Sequence, residues 1–329
     1  MRTALRFTGA LLVAFTAALP IAWADALTLR MGNEYPASSI TAEGDAFFAD
    51  KVKELTGGAV VIDTRFDATL GKSADLFAAV GRGEVDLADS FAGALDKADP
   101  LFLLSSLPFV AVTPAQSKAL LEAARPEYER ALAAHNQKLL YVTPWPPSGI
   151  WAKTPVDSAD ALKGLRIRTY DKTGEDVFAR LGAVPASISF ADAQAKLASG
   201  AMDAALTSGD GGAGRKLWDV LTHFTELNYA APLSFATIGT AAWDKLTEEQ
   251  RRGVLEAAAA TEQRQWQVVQ DRVARNYEAM RGHGMTITTG LGESFVAALR
   301  AAATPAVEAW ADRTGGRGAR ILEAYEGRR

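Results

Sequence analysis

The spacing of apolar residues changes repeatedly along the chain, and each change marks an element. Residues 27–31, LTLRM, alternate as a strand does, and the Gly/Asn/Pro/Ser-rich GNEYPASS that follows reads as a loop. Phe47, Phe48, Val52 and Leu55 recur at helical spacing, predicting a helix over 41–55 that Thr56-Gly57-Gly58 ends. AVVIDTRF (59–66) reads as a second strand, SADLFAAVGRG (73–83) as a helix closed by Gly81 or Gly83, and VDLADS (85–90) as a third strand. The rhythm restarts after Pro144: LRIRTY (165–170) and SISF (187–190) read as strands with the helix TGEDVFARLGA between them. A further helix, ADAQAKLASGA, and the strand MDAALTS (202–208) follow. Strand and helix alternating in this way predict an α/β fold with parallel sheets, and two such units predict two lobes. The loops after Met31, Asp89, Arg168 and Leu206 should then face a common cleft, because ligands of such sheets sit beyond the carboxyl ends of the strands.

One periodic stretch exceeds all others. Thr247 and Gln250 form a capping-box pair, and no glycine interrupts residues 254–281. Trp266, Val269, Val273, Tyr277 and Met280 make one apolar stripe. A helix over 247–281 would extend roughly 50 Å at about 1.5 Å per residue. That is longer than one lobe, so the helix is expected to lie across both as a strut, with a coiled-coil partner helix as the alternative.

Composition narrows the setting. Arg2 and Arg6 precede an apolar run over 7–22 that ends in Ala22-Trp23-Ala24, the pattern of a secretory signal peptide cleaved before Asp25. A membrane anchor is the competing reading, but the run is shorter than the roughly 20 residues a span requires and contains Pro20. The chain has no cysteine, so disulfides, thiol catalysis and thiolate metal sites are excluded. A formal charge of -4, without a basic cluster, argues against nucleic acid as a partner. A periplasmic, monomeric protein with no further membrane span is expected.

Most candidate chemistry fails on inspection. Gly209, Gly211 and Gly214 match a dinucleotide fingerprint, but no strand-ending acid follows at the right distance, so GDGGAG is expected to be a plain loop. LGKS (70–73) lacks the first glycine of a phosphate loop, since Phe66 stands there. His135, His223 and His283 have no metal-ligand spacing, and no serine elbow exists. No cofactor and no metal are implied. What remains is LKGLRIRTYD (162–171), which puts Arg166 and Arg168 on one face of a strand and Leu165 and Ile167 on the other. Arg168, nearer the carboxyl end, could fork two N–H groups onto a ligand carboxylate. Alternatively both arginines lie on a solvated edge or pair with Asp160 or Asp171.

DALKGLRIRTYD followed by LGAVPASISFADAQAKLASGAMDAALTS resembles the central signature of the TRAP transporter solute-binding proteins. ELTGGAVVIDTRFDATLGKSADLFAAVGRGEVDLA matches that family's amino-terminal pattern, and AAWDKLTEEQRRGVLEAA its later helix, so the resemblance covers nearly all of 27–310. It implies a two-lobed periplasmic binding protein, a Venus-flytrap fold with a long helix spanning both lobes. Such a receptor closes on an organic acid and delivers it to membrane permease subunits. Lobe 1 is expected over 25–144 and about 232–265, and lobe 2 over 145–231 and about 266–329, with hinges near 144 and 230. By position Arg168 matches the family's carboxylate-binding arginine, and Arg166 serves structure or the surface. Asp171, Phe190 and Thr207, with Ser208, fall at ligand positions. Ser90, Phe91 and Asn33 are expected to face them from the first lobe.

The departures bear on the ligand. PWPPSGIWAK lacks a second arginine found near Trp151 in some members; Asp192 and Gln194 replace the usual Glu and Tyr, and Thr207 the usual Asn. Trp145 and Trp151 are expected either in the pocket wall or in the hinge core. One cation among aromatic walls suits a monocarboxylate with an apolar or aromatic body. The rival reading is an exported enzyme, a hydrolase, working on a small organic acid in the same cleft.

Overall fold

The computed structural model describes residues 26–327. The expected signal peptide lies outside them. Two mixed sheets carry the fold. The first has the strand order Val60–Arg65, Leu27–Asn33, Leu87–Phe91, Leu233–Gly239, Gln137–Pro144. Its first three strands run parallel and Leu233–Gly239 antiparallel to both neighbours. The second has the order Thr286–Thr288, His223–Thr225, Ser148–Ala152, Ala204–Ser208, Arg166–Thr169, Val184–Ser187. Here Arg166–Thr169 is parallel to both neighbours and Ser148–Ala152 antiparallel to both of its own.

The chain crosses from the first sheet to the second at 145–147 and returns at 226–232. These crossings lie side by side: Trp145 N donates to Pro232 O, Ser148 N to Ala230 O, and Tyr229 N back to Ser148 O, all at 2.8–3.0 Å. The last two helices tie the carboxyl end to early residues, with Arg317 gripping Asp99 through two 2.8 Å contacts and Trp310 Nε1 donating to Pro100 O.

The long helix runs over Glu248–Gly282, 35 residues. Its start is set by Thr247, whose hydroxyl accepts from Gln250 N while Gln250 Oε1 accepts from Thr247 N. Its first half packs on the helix Ile40–Leu55 and the strand Gln137–Pro144, its second on the segment Gly209–Gly214 and the strand Thr286–Thr288. The buried positions differ from the expected apolar stripe: Trp266, Val269 and Met280 are buried, but Val273 and Tyr277 are only half-buried while Gln265, Arg272 and Asn276 are covered. In its middle the helix passes between the lobes, where polar side chains have polar groups to meet. Arg272 donates to Asp210 of the second lobe and to Glu43 and Ser38 O of the first, and Gln265 donates to Ile40 O.

Two local expectations change. SISF is not a strand: pairing ends at Ser187, and Ser189 caps a helix that begins at Phe190 and runs to Ala198. GDGGAG is not a loop but a short helix, Gly209–Gly214, capped by Ser208. Glycine is a poor helix former, yet side chains have no room here. A Cβ on Gly212 would stand 2.1 Å from the Trp151 ring, and one on Gly211 2.5 Å from Thr207 Oγ1.

A buried carboxylate pair sits under the first sheet. Asp45 accepts from Tyr141 Oη and Asn33 Nδ2, both at 2.6 Å, with Asp89 beside it; both acids are fully buried and no cation pairs with either among the described residues. Burial raises Asp45 to about 6, and burial plus the neighbouring Asp45 charge holds Asp89 well above the ordinary range. Both folded values exceed the unfolded ones, so this contribution is full below about pH 4 and is lost as pH rises through about 6. A two-unit shift amounts to on the order of 3 kcal/mol. Carboxylates held low, such as Asp99, lose their contribution only under more acid conditions. The melting temperature is therefore expected to fall by several degrees between pH 5 and pH 8. Asp89→Asn should make that fall smaller, with the remainder coming from Asp45 and the other buried acids; a wild-type melting temperature flat across this range would contradict the assignment.

Candidate ligand-binding site

Where the carboxyl ends of the two sheets meet there is a cavity of about 530 Å³. The first lobe contributes Glu34 and Tyr35 from the loop after its first strand, Lys72 and Ser73 from the start of the helix Ser73–Gly81, and Phe91 and Gly93 from the end of its third strand. The second lobe contributes Arg168, Tyr170, Asp171 and the turn 187–190. A narrow inner extension adds Trp145, Ser148, Thr207 and Ser208.

Arg168 is the cation at its centre. Strand alternation buries Ile167 in the lobe core and leaves Arg166 and Arg168 on the other face, with opposite fates. Arg166, at the strand's start, is exposed and forks onto Asp203 at 2.7 and 2.5 Å. Arg168, at its end, is 3% exposed and forms no ion pair among the described residues. Its Nε donates to Ile188 O at 2.8 Å and its Nη1 to Leu206 O at 3.1 Å; its Nη2 has no hydrogen-bond partner among the described residues. The guanidinium lies 5.7 Å from the Phe190 ring centre and 6.0 Å from that of Tyr170. Burial pushes its pKa down, and the charges of Tyr35, Glu34, Tyr170 and Asp171 oppose that. Neither alternative raised for this residue applies: it is not on a solvated edge, and it is not paired with an acid.

Phe190, Phe91 and Tyr35 build the walls. Tyr35 packs on Phe190 with ring centres 4.9 Å apart and on Trp145 at 4.6 Å, and Phe91 meets Tyr170 edge-on at 5.3 Å. Trp145 therefore belongs to the wall, its Nε1 held by Ser234 Oγ. Asp171 starts the helix Lys172–Arg180: its Oδ1 accepts from Gly174 N at 2.8 Å. Burial raises its carboxyl to about 6, against the lowering effect of the Gly174 N–H.

Three expected site residues lie elsewhere. Trp151 is fully buried in the second lobe's core against Leu197, Phe224 and Met280, with Nε1 on Ser208 O, because its strand turns that side chain away from the cleft. Asn33 points down into the first lobe, where its amide braces Asp45 and accepts from Tyr35 N. Ser90 turns its hydroxyl to Ser73 O and lines no part of the cavity.

Sequence reasoning missed the groups that hold the lobes together. Glu34 Oε2 accepts from Ser73 N and Oγ in the first lobe, while Oε1 accepts from Ala191 N in the second. This one carboxylate thus serves two helix N-termini from opposite sides of the cleft. Lys72 pairs with Asp192 at 2.7 Å, and Arg215 reaches across to Asp67 at 2.8 Å and to Glu34 O. The signal in the chain was an acid between the first strand and a Pro/Ser loop, too common to stand out. Among the described residues, no group of three or more His, Asp or Glu side chains is placed to hold a metal ion, and no helix is long and apolar enough to cross a membrane.

Residues 31–313 match the family described as bacterial extracellular solute-binding protein, family 7. The chain belongs to this family. It is a TRAP-type solute-binding receptor and not an enzyme. A pyroglutamic acid-binding extracytoplasmic solute receptor of Bordetella pertussis shares 31% identity and superimposes with a TM-score of 0.88, over 92% of this chain and 100% of its own. A TRAP solute-binding protein from a marine metagenome, specific for pyroglutamate, shares 27% identity at a TM-score of 0.87, over 92% and 99%. A solute-binding protein of Roseobacter denitrificans is 23% identical over 317 residues, 91% of this chain and 94% of its own.

Closure across Glu34 generates a test. Glu34→Ala removes the acceptor of Ser73 whether the lobes are apart or together, but that of Ala191 N–H only when they are together. Ligand affinity measured by titration calorimetry should fall by about 10- to 100-fold, as expected for losing hydrogen bonds to a charged group, with a smaller change in ligand-free melting temperature. Unchanged affinity would contradict a latching role.

Proposed function

We propose that this protein is a periplasmic receptor that captures a small cyclic monocarboxylate of the pyroglutamate type and presents it to TRAP permease subunits. The observation that carries this reading is the state of Arg168. A guanidinium has five N–H groups, and two are held by the carbonyls of Ile188 and Leu206. Nη2 and the second Nη1 proton have no acceptor among the described residues and are available to a carboxylate. The carbonyls fix the fork without neutralising it, so the positive charge is available to an anionic guest.

The walls suit a small, compact body. Tyr35, Phe91, Tyr170 and Phe190 offer aromatic faces around the one buried cation; Lys72, Lys97 and Lys172 also line the cavity, but among the described residues no second arginine lines it to fork onto the far end of a dicarboxylate. The receptors with 31% and 27% identity to this chain that carry pyroglutamate support the same ligand class. Binding at the junction of two lobes couples capture to closure, because ligand contacts to both lobes favour the closed arrangement. The closed surface is then the shape a permease can distinguish from the empty receptor.

Titration calorimetry with pyroglutamate tests the reading. Arg168→Ala should weaken binding by at least about 100-fold, the scale for truncating one partner of a buried charge pair. Arg168→Lys should also weaken it, by about 10-fold or more, because an ammonium cannot keep two carbonyls and a bidentate carboxylate together. Undiminished affinity in both variants would refute the anchor.

A further inference from the structure

Asp171 holds a second unsatisfied group beside the cation, and it is of opposite sign. Its side chain is 2% exposed and lines the same cavity as Arg168. One oxygen, Oδ1, is committed to Gly174 N as the helix cap. The other, Oδ2, is buried and has no hydrogen-bond partner. The Ser106 hydroxyl lies close by, but it donates its proton to Leu103 O. Gly93 packs closely against this oxygen: a Cβ there would stand 3.2 Å from Oδ2, 2.9 Å from Ser106 Oγ and 2.6 Å from the Phe91 ring.

A buried acceptor left without a donor destabilises the empty protein, and an anionic one also opposes entry of an anion. Both penalties disappear if the guest brings its own donor. We infer that Asp171 is a specificity residue whose Oδ2 accepts an N–H or O–H carried by the ligand next to its carboxylate, so that the site selects acids bearing such a donor over isosteres without one. This rests on the proposed reading of Arg168 as the carboxylate anchor and narrows it. With burial raising its pKa only to about 6, Asp171 is mostly ionised at neutral pH and acts as an acceptor. The lactam N–H of pyroglutamate sits on the carbon that bears the carboxylate, which is the arrangement the pair Arg168 and Asp171 can read together.

The test compares pyroglutamate with its lactone isostere, in which the ring N–H is replaced by oxygen, by titration calorimetry on the full-length mature protein. Wild type should bind the lactam at least about 10-fold more tightly, since a site built to accept a donor rejects the analogue lacking it. Asp171→Asn keeps a good helix cap, because Asn and Asp cap equally well. Its Oδ1 must stay on Gly174 N, so an NH2 donor takes the place of Oδ2, and the preference should vanish or invert toward the lactone. Ser106→Ala should leave the preference intact. Equal affinity of wild type for lactam and lactone, with dependence on Arg168 preserved, overturns the Asp171 assignment alone, as does an unchanged lactam preference in Asp171→Asn. Binding of neither compound overturns the pyroglutamate-type ligand reading and this inference with it. If Asp171→Asn does not fold, the wild-type ratio of the two affinities still decides.

Discussion

Burying a guanidinium is costly unless its N–H groups find acceptors, and what those acceptors are decides whether its charge survives. At Arg168 they are two backbone carbonyls, Ile188 O and Leu206 O, one from the turn after a strand and one from the neighbouring strand. Carbonyls satisfy hydrogen-bonding capacity and fix the rotamer without cancelling the charge. An acid in the same place would have produced a structural ion pair, as Asp203 does for Arg166 two residues earlier. The contrast between these two arginines, on one face of one strand, separates a surface pair from a binding group.

The rest of the fold keeps that charge in the cleft and brings a second wall against it. The long helix supplies Arg272, which joins Asp210 of one lobe to Glu43 and Ser38 O of the other, so the far side of the molecule is tied through one side chain. On the cleft side Glu34 accepts from both lobes, and Lys72 and Arg215 add ion pairs across the gap. Exposed pairs such as Lys72 with Asp192 contribute little individually. The buried carboxylate of Glu34, with three donors from two lobes, contributes more, and it stands within the same cavity as Arg168. Closure and ligand capture therefore share their atoms.

Much of this was legible in the chain. The alternation of strands and helices, the capping box at Thr247 and the length of the helix after it all follow from local periodicity and cap chemistry, and apart from SISF and GDGGAG the structure has them where the pattern puts them. Arg168 was visible as a cation at the end of a half-buried strand. Its lack of an acidic partner was not, because Asp160 and Asp171 both lie near it in sequence and only the fold determines that neither pairs with it. Trp151 illustrates the limit from the other side: strand phase decides whether an aromatic faces core or cleft, and the Pro-rich segment before it hides that phase. The glycines of GDGGAG look like a loop until Trp151 and Thr207 are packed against them, when the missing side chains become the reason a helix forms there. Glu34, Gln265 and Arg272 act over 150 residues or more of chain separation, and no local pattern announces such contacts.

The measurement that tests the central claim most directly is a crystal structure of the protein with pyroglutamate bound. The account predicts the ligand carboxylate within about 2.7–2.9 Å of Arg168 Nη2, with Nε and Nη1 still on the carbonyls of Ile188 and Leu206. A carboxylate held elsewhere in the cavity, or Arg168 turned onto one of the protein's own acids, would contradict it.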